Sequence, residues 1–376
     1  MKITRSGSIA AVALVGALAL AGCSASTTST TSTTTPSATP TSKVGLNAID
    51  PSLTGTITAA GSSAQVAAQT GYSAAFASVA TGVTLNYNPE GSGGGRKDFI
   101  AGSLDFAGSD APLSAAEATQ AAATFPGGAL DIPVYLDGVA IQYHDKDAST
   151  LNLSAATLAK IFAGKITNWS DPAIATDNGG KALPSKKITV VTRSDSSGTM
   201  QNLTNYLAGA AGSDWPAGPN LGTLPQITGM DLQKGGAAVA TEIAAVDGAI
   251  GGVDHSALTS GATVATVDGV TLSNAAIGEA MATGFSIKPN STPGDLSGAF
   301  DYTKIKADTK AYPIPLLSYD IIPATFKDAA KKKLVLAYLE FIASADGQKA
   351  GSTKAGSAPL PDSILKQVVA TLATVK

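Results

Sequence analysis

The chain has 376 residues, enough for two globular domains or one large one. Hydrophobic residues make up 44% of it and charged residues only 14%, and its 40 glycines indicate a core built largely from small residues. The formal net charge of −3 gives no general reason to expect nucleic acid or an anionic membrane surface as a partner, so an anion bound by this chain must be held by local geometry.

The N-terminus has the pattern of a secretion signal. Lys2 and Arg5 provide a positive start, and the apolar run 9–21 is too short to span a bilayer comfortably. The run ends in LAGC, which resembles the bacterial lipobox, and Cys23 is the only cysteine in the chain. We predict a lipoprotein signal peptide at 1–22, removed before a lipidated Cys23. The alternative is an ordinary signal peptide that contains a cysteine by chance.

A Ser/Thr/Pro-rich tract follows, with the sequence SASTTSTTSTTTPSATPTS. It offers no large apolar side chain to a core, so we expect it to stay extended and solvated. We interpret 23–45 as a tether that holds a folded body away from the membrane. The folded body is expected to begin near Leu46–Leu53.

Strand-like and helix-like segments then alternate along the chain. Runs of β-branched and apolar residues predict strands at 53–61, 83–90, 104–109, 130–144, 186–194 and 312–322. Apolar residues at helical spacing predict helices at 63–80, 96–102, 114–123, 156–166, 331–344 and 362–375. This alternation predicts an α/β architecture with mostly parallel sheets.

Two local signals refine these elements. Ser114 and Glu117 lie three residues apart at the start of a predicted helix, which is the spacing of a capping box. Pro133 interrupts a long β run, and proline in a strand indicates either an edge strand or a crossover.

Four short loops share one composition. Each follows a strand-like run, is rich in Gly, Ser or Thr, and precedes a helix-like run: GSSAQ (61–65), GSGGGRKDF (91–99), GSDAP (108–112) and RSDSSGT (193–199). The first N–H groups of a helix lack intrahelical partners and carry partial positive charge, so they suit an oxyanion. Glycine allows close approach to the backbone, and hydroxyls add donors. Any one such loop is more often only a turn, but four together predict an oxyanion site.

Other site chemistries do not fit. GSGGGRK lacks the spacing of a phosphate-binding P-loop, and GSGGG does not match the dinucleotide pattern GxGxxG. The only histidines are His144 and His255, and no cysteine is available to bind a metal together with them. A Ser-His-Asp hydrolase would need one of these histidines as its base, and the sequence has no G-x-S-x-G motif for the nucleophile. We expect both at strand ends, satisfied by backbone, and we predict no catalytic residue, no metal and no cofactor.

At these loops the chain resembles the PstS family, the phosphate-binding components of bacterial phosphate-specific ABC transporters. The matching segments are GSGGGRKDFIAGSLDFAGSDAPL, KIFAGKITNWSDPAIA, VVTRSDSSGT, AAVDGAIGGVDH and GSAPLPDSILKQV. The resemblance covers the chain after the tether. It implies a two-lobed periplasmic-binding-protein fold of type II-like α/β architecture, with one dehydrated phosphate in the cleft between the lobes.

The resemblance also implies domain boundaries and site residues. Two hinge crossovers would fall near Pro133–Leu136 and Tyr312–Ser318, which gives lobe I as 46–134 with 317–376 and lobe II as 135–316. The positions that match the family's phosphate-binding residues are Ser63, Ala64, Ser92, Asp110, Arg193, Ser197, Gly198 and Thr199. Whether Ser62 shares the role of Ser63 is left open.

Three charged residues carry the predicted chemistry of the site. Phosphate near neutral pH always keeps at least one proton, whereas sulfate keeps none, so Asp110 would accept a hydrogen bond from phosphate and repel sulfate. Arg193 would donate a planar fork to two oxygens, with Asp195 holding that fork and offsetting part of its charge. The alternatives are an Asx-turn role for Asp110 before Pro112 and a surface ion pair between Arg193 and Asp195.

The sequence therefore predicts an extracytoplasmic, lipid-anchored, monomeric receptor that binds inorganic phosphate and delivers it to the permease subunits of an ABC transporter. It predicts a binding protein rather than an enzyme. Two alternatives stay open: a secreted phosphatase or phosphoester hydrolase, and a receptor for sulfate, molybdate or tungstate.

Overall fold

The computed structural model describes residues 49–376. The predicted signal peptide 1–22, the lipidation site Cys23 and the tether 23–45 lie outside the described residues. Within the described part, none of the helices combines the length and the apolar character that crossing a membrane would require.

Thirteen strands lie within residues 49–376. They are β1 Thr54–Gly61, β2 Gly82–Asn88, β3 Phe106–Ser109, β4 Ala129–His144, β5 Asn152–Leu153, β6 Thr189–Arg193, β7 Asp231–Gln233, β8 Ala249–Asp254, β9 Thr263–Val264, β10 Thr266–Val267, β11 Phe285–Ile287, β12 Gly298–Phe300 and β13 Pro315–Pro323.

Twelve α-helices lie in the same part of the chain. They are α1 Val66–Ala77, α2 Ser92–Ile100, α3 Ala115–Thr124, α4 Ala155–Phe162, α5 Pro172–Asp177, α6 Gly198–Ala211, α7 Gly236–Ala245, α8 Asn274–Gly284, α9 Tyr302–Ala307, α10 Ala329–Ile342, α11 Ala345–Ala355 and α12 Asp362–Leu372.

The main sheet has nine strands in the order β2-β1-β3-β13-β4-β8-β6-β7, with β9 paired to β4. Pairing is parallel among β2, β1 and β3 and again among β8, β6 and β7. It is antiparallel where β13 meets β3 and β4, and where β4 meets β8 and β9. The prediction of mostly parallel sheets is therefore right within each outer group and wrong for the strands between them.

Strands β4 and β13 connect the two groups. The first half of β4 pairs with β13 and its second half pairs with β8, so one continuous strand runs through both groups. Pro133 lies inside the sheet, which excludes the edge-strand interpretation and leaves the crossover. The ladder shifts register between Ser318 and Tyr319, opposite Pro133, which has no N–H to donate. Both predicted crossover segments overlap these strands, and the lobe boundaries themselves stay a prediction.

The two connecting strands are buried along nearly their whole length. Burial on both faces normally goes with continuous apolar sequence. Yet the strands carry the fully buried polar residues Asp131, Asp137, Ser318 and Asp320. Because burying an unpaired polar group is costly, such positions mark where these strands have a role besides packing.

Helix starts agree with the sequence in one case and differ in another. The capping box of α3 is confirmed, since Ser114 accepts from the Glu117 amide and the Glu117 side chain accepts from the Ser114 amide. The glycine loop at 91–95, in contrast, is helical from Ser92, and Gly91 with φ of 92° supplies the turn into α2. Helix α2 thus begins with the serine that the sequence placed in a loop.

Candidate functional site

The site lies where β1, β3 and β6 end. Asp110 directly follows β3 and is 3% exposed, and the loops at the starts of α1, α2 and α6 all reach it. The loop that carries Asp110 does not itself open a helix, because α3 begins only at Ala115. Strands β1 and β3 are parallel neighbours, so their carboxyl ends lie together at one edge. Strand β6 belongs to the other group, which runs in the opposite direction, and its carboxyl end meets theirs across the cleft.

The two carboxylate oxygens of Asp110 have different partners. Oδ1 accepts from Ser62 Oγ at 2.6 Å and from Ser318 Oγ at 2.7 Å. Oδ2 has one long contact, with Ser92 Oγ at 3.3 Å. A carboxylate oxygen can accept two hydrogen bonds, so Oδ1 is fully used by the protein while Oδ2 keeps acceptor capacity.

Opposing effects set the pKa of Asp110. Burial raises it above the ordinary value, and the hydroxyls of Ser62 and Ser318, the charge of Arg193 and the hydroxyl of Ser92 act against that rise. The donors therefore favour the ionised form in a place where burial alone would favour the acid.

Arg193 is the last residue of β6 and is 3% exposed. Its Nε donates to Asp195 Oδ1 at 2.7 Å, its Nη2 donates to Asp195 Oδ2, and its Nη1 donates to Ser197 Oγ at 2.9 Å. Burial acts to raise the pKa of Asp195, but the hydrogen bonds and charge of Arg193 hold it below its ordinary value. The contact predicted between Arg193 and Asp195 is present. Arg193 is buried and Asp195 is partly exposed, so the pair is not a fully exposed surface ion pair.

Helix α6 begins against Asp110. Ser197 caps it by accepting from the Met200 amide, so the first N–H groups of the helix, at Gly198 and Thr199, have no intrahelical acceptor. A Cβ on Gly198 would lie 2.6 Å from Asp110 Cβ and 2.6 Å from Ser92 Oγ, which only glycine avoids. Thr199 Oγ1 is buried without a hydrogen-bond partner among the described atoms, so it can donate to a ligand.

In the loop 61–65, the hydrogen bonds of Ser62, Ser63 and Ala64 differ from the prediction. Ser63 Oγ accepts from the Gly236 amide at 3.2 Å, which leaves its proton available. The Ala64 amide donates to Ser62 Oγ at 3.0 Å, so it is used within the loop. Ser62 rather than Ser63 contacts Asp110 directly. The roles of Ser63 and Ala64 as ligand-binding groups stay a prediction.

The cleft between the two strand groups is closed. The Gly93 amide donates to the Ser196 carbonyl at 3.0 Å, and Asn202 Nδ2 donates to the Asp110 carbonyl at 2.7 Å. Ser256 Oγ donates to the Ala64 carbonyl at 3.1 Å. These bonds join segments that follow β1, β2 and β3 to segments that follow β6 and β8.

Sequence reasoning missed two residues that contact Asp110. Ser318 lies 208 positions away on β13, inside an apolar run that gave no signal. Asn202 lies one turn into α6, and its spacing from Gly198 is a signal that could have placed it on the same face, since Nδ2 also donates to the Gly198 carbonyl at 2.9 Å.

The histidines lie at strand ends as expected, since His144 ends β4 and His255 follows β8. The prediction that backbone satisfies them is wrong for their rings, because Nδ1 of each is buried without a hydrogen-bond partner. The Asp137 carboxylate lies beside His255, with Nδ1 and Oδ1 3.5 Å apart, and it raises the pKa of His255. Across residues 49–376 there is no cluster of three or more metal-ligating side chains.

The site thus combines one buried carboxylate acceptor with a buried guanidinium, hydroxyls and helix-start amides. Such a set is suited to a small tetrahedral oxyanion, and the remaining acceptor capacity of Asp110 Oδ2 favours one that carries a proton.

A family model described as a PBP superfamily domain matches residues 25–346. The chain is 32% identical over 372 residues to the phosphate-binding protein PstS 3 of Mycobacterium leprae, covering 96% of each chain. It is 33% identical over 298 residues to the phosphate-binding protein PstS of Xylella fastidiosa, covering 77% of this chain and 78% of that protein. The chain belongs to the PstS family of phosphate-binding proteins.

The fold agrees with this assignment. A solved structure of a phosphate-binding protein from Stenotrophomonas maltophilia superposes with a TM-score of 0.64 at 21% identity, covering 84% of this chain and 93% of that one. The architecture is therefore the two-lobed periplasmic-binding-protein fold, in which β4 and β13 are the connecting strands.

Proposed function

We propose that this protein is an extracytoplasmic receptor that binds inorganic phosphate and delivers it to the permease of an ABC transporter. The observation that carries the proposal is the remaining acceptor capacity of Oδ2 in buried Asp110, which has one long contact with Ser92 Oγ and lies beside several hydrogen-bond donors. The family relationship supports the same ligand, since the relatives are named phosphate-binding proteins.

The proposed contacts follow from the available atoms. Asp110 Oδ2 accepts the proton of phosphate, Arg193 contributes guanidinium N–H groups, and Thr199 Oγ1 donates. The remaining donors are the hydroxyls of Ser63, Ser92 and Ser197 and the backbone amide of Gly198, whereas the Ala64 amide is used by Ser62 Oγ. Asp195 holds the fork of Arg193 and offsets part of its charge, which suits a receptor that must release its cargo.

Titration calorimetry on protein without the lipid anchor tests the proposal. We expect phosphate to bind with a Kd of roughly micromolar order, about −8 kcal/mol. Sulfate should bind at least tens of times more weakly, because it loses a charge-assisted hydrogen bond of ~1.5–3 kcal/mol and faces a carboxylate. Sulfate binding as strong as phosphate binding would overturn the acceptor role of Asp110.

Two further measurements separate the alternatives. Molybdate and tungstate are dianions without a proton at neutral pH, so we expect them to behave like sulfate. Turnover of a phosphate monoester tests the hydrolase alternative, and we expect none. The serines that contact Asp110 donate to a carboxylate rather than to an imidazole base, and residues 49–376 hold no cluster of metal-ligating side chains. Measurable turnover that Asp110→Asn abolishes would favour an enzyme.

We also propose that Cys23 is lipidated and anchors a monomer to the outer face of the cell membrane through the tether 23–45. The support is the LAGC pattern and the Ser/Thr/Pro composition. Cys23→Ser should move the protein from the membrane fraction to the medium, and mass spectrometry of the mature N-terminus should show the lipid. A membrane-bound Cys23→Ser variant would contradict the anchor.

A further inference from the structure

A buried glutamine lies behind the Asp110 carboxylate. Gln65 Nε2 is 2.9 Å from the Tyr319 carbonyl oxygen and 2.7 Å from Ser318 Oγ. The carbonyl oxygen can only accept a hydrogen bond, so the atom facing it must be the nitrogen. This contact fixes the orientation of the Gln65 amide, and Gln65 therefore donates to Ser318.

That orientation fixes the direction of the Ser318 proton. A hydroxyl has one proton to donate. Because Ser318 Oγ accepts from Gln65, its proton is directed to Asp110 Oδ1 at 2.7 Å. Ser62 is arranged in the same way, since its Oγ accepts from the Ala64 amide and donates to the same Oδ1.

The Gln65 side chain is itself fixed by hydrogen bonds from further buried residues. Gln69 Nε2 donates to Gln65 Oε1 at 2.9 Å and lies 3.1 Å from Asp320 Oδ1. Tyr338 Oη donates to Gln69 Oε1 at 2.7 Å. Gln65 and Gln69 are both at most 2% exposed, so water does not compete for these bonds.

We propose that Gln65 and Ser318 are positioning residues that set the ligand selectivity of Asp110: they commit Oδ1 to internal donors and leave Oδ2 to accept the proton of the ligand. This inference rests on the proposed phosphate binding. Without the Ser318 donor, Oδ1 loses a partner, and the carboxylate can rotate or take up a proton. A protonated Asp110 would donate to sulfate instead of rejecting it.

The inference also has a pH dependence. Burial raises the pKa of Asp110, and the Ser318 hydroxyl opposes that rise, so Ser318→Ala should raise the pKa further. The titratable groups that face Asp110 are Arg193 at the end of β6, Asp254 on β8 and Tyr87 on β2, and none of them is changed by the variant. Phosphate affinity should therefore fall at a higher pH on acidification than in the unaltered protein.

The test is calorimetry with phosphate and with sulfate on the unaltered protein, Ser318→Ala, Ser318→Thr and Gln65→Met, repeated from pH 8 to pH 5. Ser318→Ala should weaken phosphate binding about 3- to 10-fold while sulfate binding stays equal or strengthens. Ser318→Thr keeps a hydroxyl and should retain the phosphate/sulfate ratio. Gln65→Met should shift the ratio in the same direction as Ser318→Ala, by less.

A double-mutant cycle tests whether Gln65 acts through Ser318. In the Ser318→Ala background, Gln65→Met should change the phosphate/sulfate ratio no further. The matched control is Gln348→Met, at a buried glutamine on α11 that donates to the Ile342 and Val134 carbonyls and accepts from the Leu360 amide, with no hydrogen bond to Asp110, Ser318 or Gln65. It should lower stability and leave the ratio unchanged.

The outcomes separate this inference from the proposed function. If the unaltered protein binds no phosphate, both the proposed function and this inference are overturned. If it binds phosphate selectively and Ser318→Ala leaves the ratio and its pH profile unchanged, the inference alone is overturned. An equal effect of Gln65→Met with and without Ser318 would overturn the role of Gln65. If Gln65→Met does not fold, Ser318→Ala, which removes one oxygen, still decides the role of Ser318.

Discussion

The two charged halves of the site are built in different ways. The Arg193 half comes from one loop, 193–199, in which Asp195 and Ser197 hold the guanidinium. The Asp110 half draws its donors from three separate parts of the chain, at Ser62, Ser92 and Ser318. The cation is positioned by local sequence, whereas the acceptor that selects the ligand is positioned by the assembled fold.

Arg193 and Asp110 also differ in the residues that support their side chains. Arg193 is backed by Asp195, which is partly exposed and also accepts from the Gly235 amide. Asp110 is backed by Ser318, Gln65 and then Asp320, all of which are buried. Changes in the first half should therefore act on affinity, and changes in the second half on selectivity and pH dependence.

The largest expected effect is on the Arg193 half. Arg193→Met keeps an apolar side chain and removes the guanidinium group. At least two charge-assisted hydrogen bonds to phosphate, of ~1.5–3 kcal/mol each, are then lost. Phosphate affinity should therefore fall at least about 100-fold. Calorimetry measures this directly. The control is Arg193→Met combined with Asp195→Asn, which removes the unpaired carboxylate. Recovery of affinity in the double variant would mean that repulsion by Asp195, not loss of the fork, caused the fall.

Asp110→Asn tests the other half. The amide cannot accept the phosphate proton as a charged group can, and it offers an N–H to sulfate, so the phosphate/sulfate affinity ratio should shrink at least roughly tenfold. Asp131→Asn, at another buried aspartate on β4, should leave the ratio unchanged. An unchanged ratio in Asp110→Asn would contradict the proposed selectivity.

Asp320 extends the comparison to pH. Burial raises its pKa from 3.8 to about 8. Between these values the folded protein holds a proton that the unfolded chain has lost, so the free energy of unfolding falls as pH rises and levels off above about 8. Asp320→Asn cannot ionise and should remove up to roughly 1.4 kcal/mol per pH unit of that slope.

Urea denaturation of both proteins at pH 5, 6, 7 and 8 measures this slope. The free-energy difference between Asp320→Asn and the unaltered protein should grow in favour of the variant with rising pH. Parallel pH profiles would show that Asp320 does not hold its proton in the folded state.

The smallest effect is expected at Thr199. Thr199→Val removes a hydroxyl without a protein partner, so it should cost about 3- to 10-fold in phosphate affinity and little stability. The control is Thr371→Val, the same change at a threonine that has a protein partner and lies outside the site. Thr371 Oγ1 donates to the Gly294 carbonyl at 2.9 Å. Thr371→Val should lower stability by about 1 kcal/mol and leave affinity unchanged. A loss of stability without a loss of affinity in Thr199→Val would remove Thr199 from the site.

Local patterns predicted the local structure well. The capping box at Ser114, the strand ahead of Arg193 and the contact of Arg193 with Asp195 all depend on residues close in sequence, and all are present. The start of α2 at Ser92 was missed because glycine has low intrinsic helix propensity. Its glycines are accepted there because of close neighbours: a Cβ on Gly93 would lie 2.1 Å from Ser196 Oγ.

The sequence by itself determined the alternating α/β pattern, the four polar loops and the residue types able to bind an oxyanion, since strand period, helix period and turn chemistry act over a few residues. Only the tertiary structure decided which carboxylate oxygen of Asp110 keeps acceptor capacity for a ligand. Ser62 and Ser318 reach Oδ1 because β1, β3 and β13 lie side by side in one sheet, and strand order is not encoded in any single segment of the chain.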